Sequence, residues 1–493
     1  MTSISKSKYL SGLQCHKRLW YEVNAKAEVP PPDAQTQAIF DAGDAVGALA
    51  KKLYPGGIEI EWVEGENRNL ALGLKQSQEL IKKRVPLFEA GFAYGGALAI
   101  ADLLLPVLKD QWDVIEVKSS AEVKEHNYDD AALQLYVYRN TGLKIRDVYL
   151  MHVNNQYIKH GEIDPKKFFT KVNINAEVAE AIKHVPQKLK EMHATLKLKS
   201  APKIKIGPHC SHPYACPMTT TCWAFLPEHN VFDLYCDRGG KKASMLMDAG
   251  ITSLADIPTD FKLTDNQKVQ FRAATQGRPQ VNKTGIREFL KSIRYPACFL
   301  DFETIFPAIP VIDGTRPFQQ IPFQYSLHVL AKAGAKPEHH EFLYDGSDDP
   351  RPELMKKLFE CLDGRGSVLA FNKPFESARL KEAAELLPQY AKWVEDVLKR
   401  MLDLIVPFRN FDYYHPDQGG SCSIKNVLPA LTPMRYDNLE IAEGGAASRE
   451  YLRTHYLGEA SDKKAVRKNL LAYCKQDTEA MVALLKALEK LAV

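Results

Sequence analysis

The chain has 493 residues, of which 45% are hydrophobic and 26% are charged, and its formal net charge is +4. These values describe an ordinary soluble chain with room for roughly two to four domains, and the net charge is too small to identify a partner. The opening residues MTSISKSKYL contain no apolar core, and no apolar run approaches ~18 residues. A secretion signal and a membrane partner are therefore not expected, and a cytoplasmic location is predicted.

The first predicted centre lies in a β-hairpin. Apolar residues run from 97 to 105, polar residues 109–111 interrupt them, and a second strand-like run covers residues 112–117. Folding the chain about the polar residues brings Asp102 opposite residues 117–119. The hairpin is therefore expected to gather charged side chains from both of its strands.

Two carboxylates and one ammonium are predicted to meet there. Side chains alternate along a strand, so Glu116 and Lys118 point the same way, close to Asp102. Carboxylate oxygens can hold Mg²⁺ or Mn²⁺, which polarises a phosphodiester and activates water, while a lysine orients that water. The alternative is a solvated hairpin edge on which a Glu and a Lys are incidental.

A third element favours the catalytic interpretation. A helix over residues 129–140 would place Gln134 and Tyr138 one turn apart, facing a strand end and its bound nucleic acid. The order D, E-x-K, Q-x3-Y resembles the RecB-type branch of the PD-(D/E)xK nucleases. The resemblance implies two metal ligands and three catalytic residues, in this order: Asp102 and Glu116, then Lys118, Gln134 and Tyr138.

One feature departs from that family. Many relatives carry a metal-ligating histidine on an upstream helix, but the corresponding residues 41–53, DAGDAVGALAKKL, contain none. We therefore expect that Glu89 or another acid replaces it, or that the metal is held more loosely.

Four of the nine cysteines form a candidate metal site. They are one N-terminal residue and a later C-x5-C-x5-C triplet, namely Cys15, Cys210, Cys216 and Cys222. Four thiolates can hold a [4Fe-4S] cluster or a structural zinc, and the absence of a C-x2-C pair favours iron and sulfur. The other five cysteines, Cys236, Cys298, Cys361, Cys422 and Cys474, are interpreted as core residues or bystanders.

This arrangement resembles the iron-sulfur members of the RecB-type nucleases, including those of CRISPR adaptation and the AddB-type helicase-nucleases. The resemblance implies a clasp in which the cluster ties the chain ends together around the nuclease core. The triplet here is spaced more widely than the usual C-x2-C-x5-C. Zinc, or no metal at all, therefore remains an alternative.

The middle of the chain, residues 226–292, is predicted to be a helical linker. Within it, residues 241–261 have the pattern of a helix-hairpin-helix, in which Thr252 and Ser253 cap the second helix. Such a hairpin can present backbone N–H groups to a phosphate. The alternative is a plain helical spacer between two domains.

A second group of acids begins near residue 297. A short apolar strand over residues 297–300 runs into Asp301 and Glu303, which the strand period places on one side. A predicted helix after residues 367–371 carries Glu376 in its first turns. The last helix places Tyr473 and Asp477 one turn apart, so four acids can meet at one strand end.

These motifs resemble the DnaQ-like, or DEDD, exonucleases of the RNase H-like fold. Their D-x-E motif matches Asp301 and Glu303, and their Y-x3-D motif matches Tyr473 and Asp477. The resemblance implies two metal ions about 3.5–4 Å apart, held by these acids, with the tyrosine positioning water. The middle motif departs from the family, because Glu376 stands where an Asp is usual, and Asp403 is a possible substitute.

Two further interpretations concern this half of the chain. One alternative is that the acids merely end a buried strand and that Asp477 pairs with a lysine on its helix; another is an RNase H-like domain that has lost turnover. Residues 419–429 are predicted to form a substrate-side loop, with Ser421 and Ser423 as caps and Lys425 near the phosphate path. Ordinary helix capping is the alternative for that loop.

The predicted fold is α/β with three parts. Residues 1–225 form a restriction-endonuclease-like domain with a four-cysteine clasp, residues 226–292 a helical segment, and residues 293–493 an RNase H-like domain. The predicted function is Mg²⁺- or Mn²⁺-dependent hydrolysis of DNA, acting on single strands or ends. RNA processing and a catalytically inactive nucleic-acid-binding adaptor are the alternatives.

Overall fold

The computed structural model describes residues 3–64, 67–362, 364–458 and 461–493. The protein is mixed α/β, as predicted, and it divides into two compact units. The first unit comprises residues 1–224 together with residues 307–318. The second comprises residues 225–306 and 319–493, so the segment predicted to be a linker folds with the C-terminal part of the chain.

The first unit surrounds one large sheet. Its strands are β1 (Ile4–Ser5), β2 (Ile58–Glu59), β3 (Val63–Glu64), β4 (Asn67–Arg68), β5 (Leu87–Tyr94), β6 (Ala97–Pro106), β7 (Gln111–Lys118), β8 (Lys144–Val153) and β9 (Phe169–Asn173). Its helices are α1 (Lys6–Gln14), α2 (His16–Asn24), α3 (Ala34–Lys51), α4 (Leu70–Leu80), α5 (Glu125–Asn140), α6 (Pro165–Phe168), α7 (Asn175–Ala181), α8 (Val185–Leu196) and α9 (Thr219–Trp223).

The sheet of the first unit has the order β2-β5-β6-β7-β8-β9, and β1 pairs with β6 in parallel. Strands β6 and β7 form the predicted hairpin, with Leu103 opposite Ile115. The predicted register was wrong by about one residue, because a tight turn over residues 107–111 centres the hairpin near residue 109. Asp102 therefore comes level with Glu116 rather than with residues 117–119.

Helix α5 is the central helix of the first unit and packs against β5, β6 and β8 on one side and α1 and α7 on another. It begins at Glu125, earlier than the predicted start at residue 129, because the side chain of Asn127 accepts the N–H of Lys124 at 2.8 Å and starts the helix there. Contact on two sides explains why most of its residues are buried.

The second unit also contains one principal sheet. Its helices are α10 (Lys241–Asp248), α11 (Asp265–Gln276), α12 (Lys283–Lys291), α13 (Arg351–Cys361), α14 (Lys373–Leu386), α15 (Ala391–Lys399), α16 (Val406–Arg409), α17 (Ile424–Leu431), α18 (Gly444–His455) and α19 (Lys463–Ala492). Its strands are β10 (Gln280–Val281), β11 (Ala297–Ile305), β12 (Ile321–Leu330), β13 (Glu338–Leu343), β14 (Ser367–Ala370), β15 (Met401–Asp403) and β16 (Tyr413–Tyr414).

The principal sheet of the second unit has the order β13-β12-β11-β14-β15. Strands β13, β12 and β11 are antiparallel, whereas β11, β14 and β15 are parallel. Helix α19 packs on β11 and β12. Its buried face repeats at helical spacing through Val466, Leu470, Tyr473, Asp477, Met481, Leu484 and Leu488, so the motif residues Tyr473 and Asp477 face the sheet.

The middle segment differs in part from its predicted secondary structure. Helix α10 is present, but the predicted second helix after Ser253 is a single 3₁₀ turn over Leu254–Asp256. The hydroxyl of Ser253 accepts the N–H of Ala255, which favours this tight turn, and the next longer helix is α11. A cluster of apolar side chains from residues 231–274 gives the segment a small core of its own.

No helix in the described part of the chain combines the length and the apolar character that crossing a membrane requires.

Candidate functional site

Glu116 is the carboxylate that most of the polar side chains of the first centre contact. Its side chain is 2% exposed, and Oε1 accepts hydrogen bonds from the ammonium groups of Lys118 and Lys6, each at 2.7 Å. The amide of Gln134, reaching down from α5, donates to Oε2 at 2.6 Å. Both carboxylate oxygens are therefore satisfied, by two ammonium groups and one amide.

A third carboxylate, Asp130, completes this network. It lies on α5, is 1% exposed, and accepts a hydrogen bond from Lys118 at 2.8 Å through Oδ2. Its Oδ1 lies 3.9 Å from the ammonium nitrogen of Lys6. Lys6 and Asp130 were not among the predicted residues, although Asp130, Gln134 and Tyr138 are spaced four residues apart, a signal that Asp130 shares their face of the helix.

Asp102 lies beside Glu116 but is held differently. It is half-buried, and its Oδ2 accepts the backbone N–H of Val117 at 2.6 Å across the hairpin. Burial, followed by the charge of Glu116, raises the pKa of Asp102 to about 7. Burial alone would also raise the pKa of Glu116, but the ammonium groups of Lys118 and Lys6 outweigh it and hold that pKa well below its ordinary value.

Two residues that were predicted to serve the first centre make different contacts from those expected. Tyr138 was expected to meet nucleic acid, but it is 0% exposed, and its hydroxyl donates to the carbonyl of Ala90 at 3.2 Å. It supports α5 on the sheet instead. Glu89, proposed to replace the missing histidine, forms an ion pair with Lys51 at 3.1 Å, and its charge contributes to the raised pKa of Asp102.

The four candidate cluster cysteines line one small cavity in the first unit: Cys15, Cys210, Cys216 and Cys222. All four are partly exposed, and none forms a disulfide. Burial raises the pKa of the Cys15 thiol, and the nearby thiols of Cys210 and Cys222 also raise it. The side chain of Gln14 fixes the loop opposite by donating to the carbonyls of His209 and Tyr214, each at 2.7 Å.

The second centre is built on β11 and α19. Ligand atoms of Asp301, Glu303 and Cys474 lie within 4.8 Å of one another. Cys474 is a buried core residue, as predicted, and it also donates its S–H to Oδ2 of Asp301 at 3.7 Å, a contact that the sequence did not predict. Its position beside Tyr473, on the buried face of the last helix, was the available signal.

A cavity of about 310 Å³ opens onto these acids. Its lining combines carboxylates with aromatic rings and includes Asp301, Glu303, Phe306, Phe371, Tyr473 and Asp477. The cavity thus combines acidic side chains with apolar walls at one end of the sheet. Such a cavity can admit a chain terminus whose phosphate approaches the acids.

Asp477 is held by tyrosines rather than by a lysine. Tyr436 donates its hydroxyl hydrogen to Oδ1 of Asp477 at 2.6 Å, and Tyr473 also hydrogen-bonds to this carboxylate. The alternative in which Asp477 pairs with a lysine on its own helix is therefore wrong. Burial raises the pKa of Asp477 to about 6, although both tyrosines and the charge of Lys425 oppose the rise.

The other acids of the second centre repel one another. Burial raises the pKa of Asp301 well above its ordinary value, and the charges of Asp477, Glu303 and Glu376 raise it further. Burial and Asp477 likewise raise the pKa of Glu303. Unlike the first centre, this site has no ammonium within salt-bridge distance of these acids among the described residues.

Glu376 lies in the first turn of α14, as predicted, and is 2% exposed. Its Oε2 is buried without a hydrogen-bond partner among the described residues, and burial raises its pKa to about 8. Asp403, the suggested substitute, instead accepts the N–H groups of Asn372 and Ile405. Asp403 therefore holds the start of α14, while Glu376 keeps a free carboxylate oxygen.

The loop before α17 also differs in detail. Ser423 stands at the cap position, but its hydroxyl donates to Oδ1 of Asn426 and accepts no helix N–H. Ser421 accepts the N–H of Ser423 at 3.1 Å, which shapes the loop rather than the helix. Lys425 is exposed in the first turn of α17, and its charge reaches both Glu303 and Asp477.

Tyr436→Phe tests the unexpected contact with Asp477. A hydrogen bond to a charged group contributes about 1.5–3 kcal/mol, so we expect its loss to raise the pKa of Asp477 by about one unit or more above its value of about 6. The ionisation of the Asp477 carboxyl, followed as a pH profile by difference infrared spectroscopy of wild type against variant, measures this rise. Tyr451→Phe, which removes a hydroxyl bonded to the carbonyl of Tyr344, is the matched control. An unchanged pH profile would contradict this role.

Comparisons with known proteins identify relatives without an assigned activity. A family model described as a domain of unknown function, DUF2779, matches residues 298–423, which include Asp301, Glu303 and Glu376. An uncharacterized protein of Mycoplasma pneumoniae is 28% identical over 207 residues, which is 38% of this chain and 31% of that protein. An uncharacterized protein of Ureaplasma parvum is 26% identical over 218 residues, 39% of this chain and 31% of the relative.

These alignments span about a third of the length of the curated relatives. Among solved structures, one titled "Crystal structure of SSO0001" is similar over 46% of this chain and 88% of that chain. Its sequence identity is 15% and its TM-score is 0.24.

Proposed function

We propose that the protein is a metal-dependent nuclease that hydrolyses phosphodiester bonds of DNA at single strands or ends. One observation carries the proposal. Asp301, Glu303 and Asp477 converge on a cavity of about 310 Å³, with no ion-pair partner for them among the described residues. Buried like charges are costly unless a cation compensates them, and oxygen-rich sites suit Mg²⁺ or Mn²⁺.

The donor set of the second centre fits such cations. Carboxylates of Asp301, Glu303 and Asp477 would hold them, and Glu376 offers the buried Oε2 that has no hydrogen-bond partner among the described residues. Bound cations would polarise the phosphodiester and neutralise developing charge. Tyr436 and Tyr473 fix the carboxylate of Asp477, and Lys425 supplies positive charge at the approach to the acids.

The first centre is proposed as a second hydrolytic site. Asp102 and Glu116 would hold a cation, Lys118 would orient the attacking water, and Gln134 fixes Glu116. In the same proposal the first unit is a PD-(D/E)xK domain and the sheet from β11 to β15 belongs to a DEDD exonuclease domain. The contact of both α5 and β7 with one carboxylate network supports the first assignment. The joint position of the D-x-E and Y-x3-D residues supports the second.

The four cysteines are proposed to bind a [4Fe-4S] cluster. All four thiols line one cavity and come from the two ends of the first unit, which is what a clasp requires. Zinc bound by the same four thiols is the alternative.

We expect anaerobically purified protein to contain iron and acid-labile sulfide, and Cys216→Ser to lose both. The matched control is Cys361→Ser, because that cysteine lies in the second unit, outside the cavity. Metal analysis and visible absorption measure the outcome. Stoichiometric zinc without sulfide would replace the cluster with a zinc site, and neither metal would remove the clasp proposal.

The proposed activity is tested with end-labelled single-stranded DNA under anaerobic conditions with Mg²⁺ or Mn²⁺. The wild type is compared with Glu116→Ala and Asp301→Ala. The controls are Glu180→Ala and Glu395→Ala, each of which removes an exposed acid from a surface ion pair. We expect each site variant to change the distribution of product lengths and each control to match the wild type.

A matched RNA strand separates the DNA proposal from RNA processing. Faster cleavage of the RNA strand would make RNA the substrate. Binding of either strand without cation-dependent cleavage would instead favour the adaptor role, for which the unusual Glu376 and the absence of a histidine from residues 41–53 are the motivating features.

A further inference from the structure

Lys6 enters the first centre from outside every motif of the sequence. Strand β1 pairs Ile4 with Ala97 and Ser5 with Leu98 on β6, the strand that carries Asp102. The next residue begins α1, and its side chain reaches the charged network. The ammonium nitrogen of Lys6 lies 2.7 Å from Oε1 of Glu116.

The negative charge of the first centre is consequently compensated in large part by the protein itself. Three carboxylates, Asp102, Glu116 and Asp130, face two ammonium groups, Lys6 and Lys118, whereas the acids of the second centre have no such ammonium partners among the described residues. A single oxygen, Oε1 of Glu116, carries both ammonium contacts. A divalent cation that binds this oxygen must therefore displace at least one of them.

We infer that Lys6 is a positioning residue of the first centre: its ammonium acts as a resident counter-cation on Glu116 and sets the concentration of divalent cation that the centre requires. The inference rests on the proposed function of that centre. Lys6 is the group that yields, because Lys118 is also anchored to Asp130 at 2.8 Å, whereas Lys6 approaches that residue only to 3.9 Å.

Helix α1 explains why Lys6 holds this position. Lys6 is its first residue, and Cys15 follows its last residue at the cavity of the four cysteines. Near that end, Gln14 donates to the carbonyls of His209 and Tyr214, which ties the helix to the loop of the cysteine triplet. The nine residues of α1 span about 13 Å. The helix is thus fixed at both ends, and Lys6 is directed onto Glu116.

The test measures Mn²⁺ affinity from the electron paramagnetic resonance signal of free Mn²⁺. The parent protein carries Asp301→Asn and Glu303→Gln, which disable the second centre. Lys6→Met should bind Mn²⁺ on the order of tenfold more tightly, because a like charge a few Å from the cation is removed. Lys6→Arg keeps the charge and should remain within about threefold of the parent.

Two controls identify the site of the effect. Lys8→Met removes the same charge from α1 two residues further on and should leave the affinity unchanged. Glu116→Gln should remove the tighter binding when it is combined with Lys6→Met. Circular dichroism and thermal unfolding verify that each variant is folded, and Lys6→Gln, which also removes the charge, replaces Lys6→Met if that variant is not folded.

The outcomes distinguish an error about the role of Lys6 from an error about the centre itself. If the parent binds Mn²⁺ through Glu116 but Lys6→Met and Lys8→Met have equal affinities, the role of Lys6 is wrong while the centre stands. If Mn²⁺ binding does not depend on Glu116, the proposed centre is itself wrong and the inference falls with it. Tighter binding that is specific to Lys6→Met and dependent on Glu116 supports the inference.

Discussion

Asp301→Asn is expected to reduce cation-dependent cleavage at the second centre by about a thousandfold, yet to stabilise the cation-free protein. The first effect follows from the loss of a carboxylate that lies within 4.8 Å of the ligand atoms of Glu303 and Cys474. The second follows from electrostatics, because the charges of Asp477, Glu303 and Glu376 all disfavour an ionised Asp301. We expect a gain of about 2 kcal/mol at pH 8.

The dependence on pH has a defined sign. Acids whose pKa is raised in the folded state contribute stability below the unfolded pKa and lose it as pH rises through the folded pKa. The folded pKa values of Asp477 and Glu376 are about 6 and about 8. Because the unfolded pKa of these acids is about 4, cation-free wild type should lose stability from about pH 4 to about pH 8. The Asp301→Asn variant should lose less stability than the wild type over the same pH range.

Thermal unfolding in the presence of a chelator, repeated with added Mn²⁺, measures both effects. Mn²⁺ should raise the unfolding midpoint of the wild type at pH 8 and have a much smaller effect on Asp301→Asn. Glu395→Gln is the control, because it removes an exposed acid from the same unit. A destabilised Asp301→Asn protein that still responds fully to Mn²⁺ would exclude the second centre as the cation site.

The residues that the sequence predicted correctly share a regular period. Alternation along β11 predicts that Asp301 and Glu303 lie on one side, and the turn of α19 predicts that Tyr473 and Asp477 lie on one face. The hairpin of β6 and β7 was predicted for the same reason. Its register was not, because the position of the tight turn over residues 107–111 sets the pairing, and the polar residues alone do not define it.

Lys6 and Tyr436, which the sequence did not predict, lie far along the chain from the carboxylates that they contact. Lys6 is separated from Glu116 by 110 positions, and Tyr436, in the irregular segment before α18, is separated from Asp477 by 41. Only the tertiary fold brings such residues together. Tyr138 was predicted at the right place but with the wrong role. Helical spacing put it correctly on the same face as Gln134, but spacing does not reveal that Tyr138 is fully buried and cannot reach nucleic acid.

Glu116→Gln should destabilise the protein by about 3 kcal/mol, because it leaves two ammonium groups with one fewer carboxylate. Lys6 loses its only contact shorter than 3.9 Å in this network, and Lys118 retains Asp130 alone. The pKa of Glu116 is held below its ordinary value of 4.5, so its contribution is present above that pH and is lost as pH falls below it. The difference between wild type and variant should therefore shrink in acid.

A double-mutant cycle identifies the source of this loss. If the uncompensated ammonium of Lys6 causes much of it, adding Lys6→Met to Glu116→Gln should restore about half of the lost stability. Asp113→Asn provides the matched comparison, because it also removes a buried carboxylate from the first unit, but one that pairs with Arg146. Its combination with Lys6→Met should be additive. Urea unfolding measures the free energies of all six proteins in the two cycles, and equal additivity in both cycles would mean that Lys6 and Glu116 do not interact energetically.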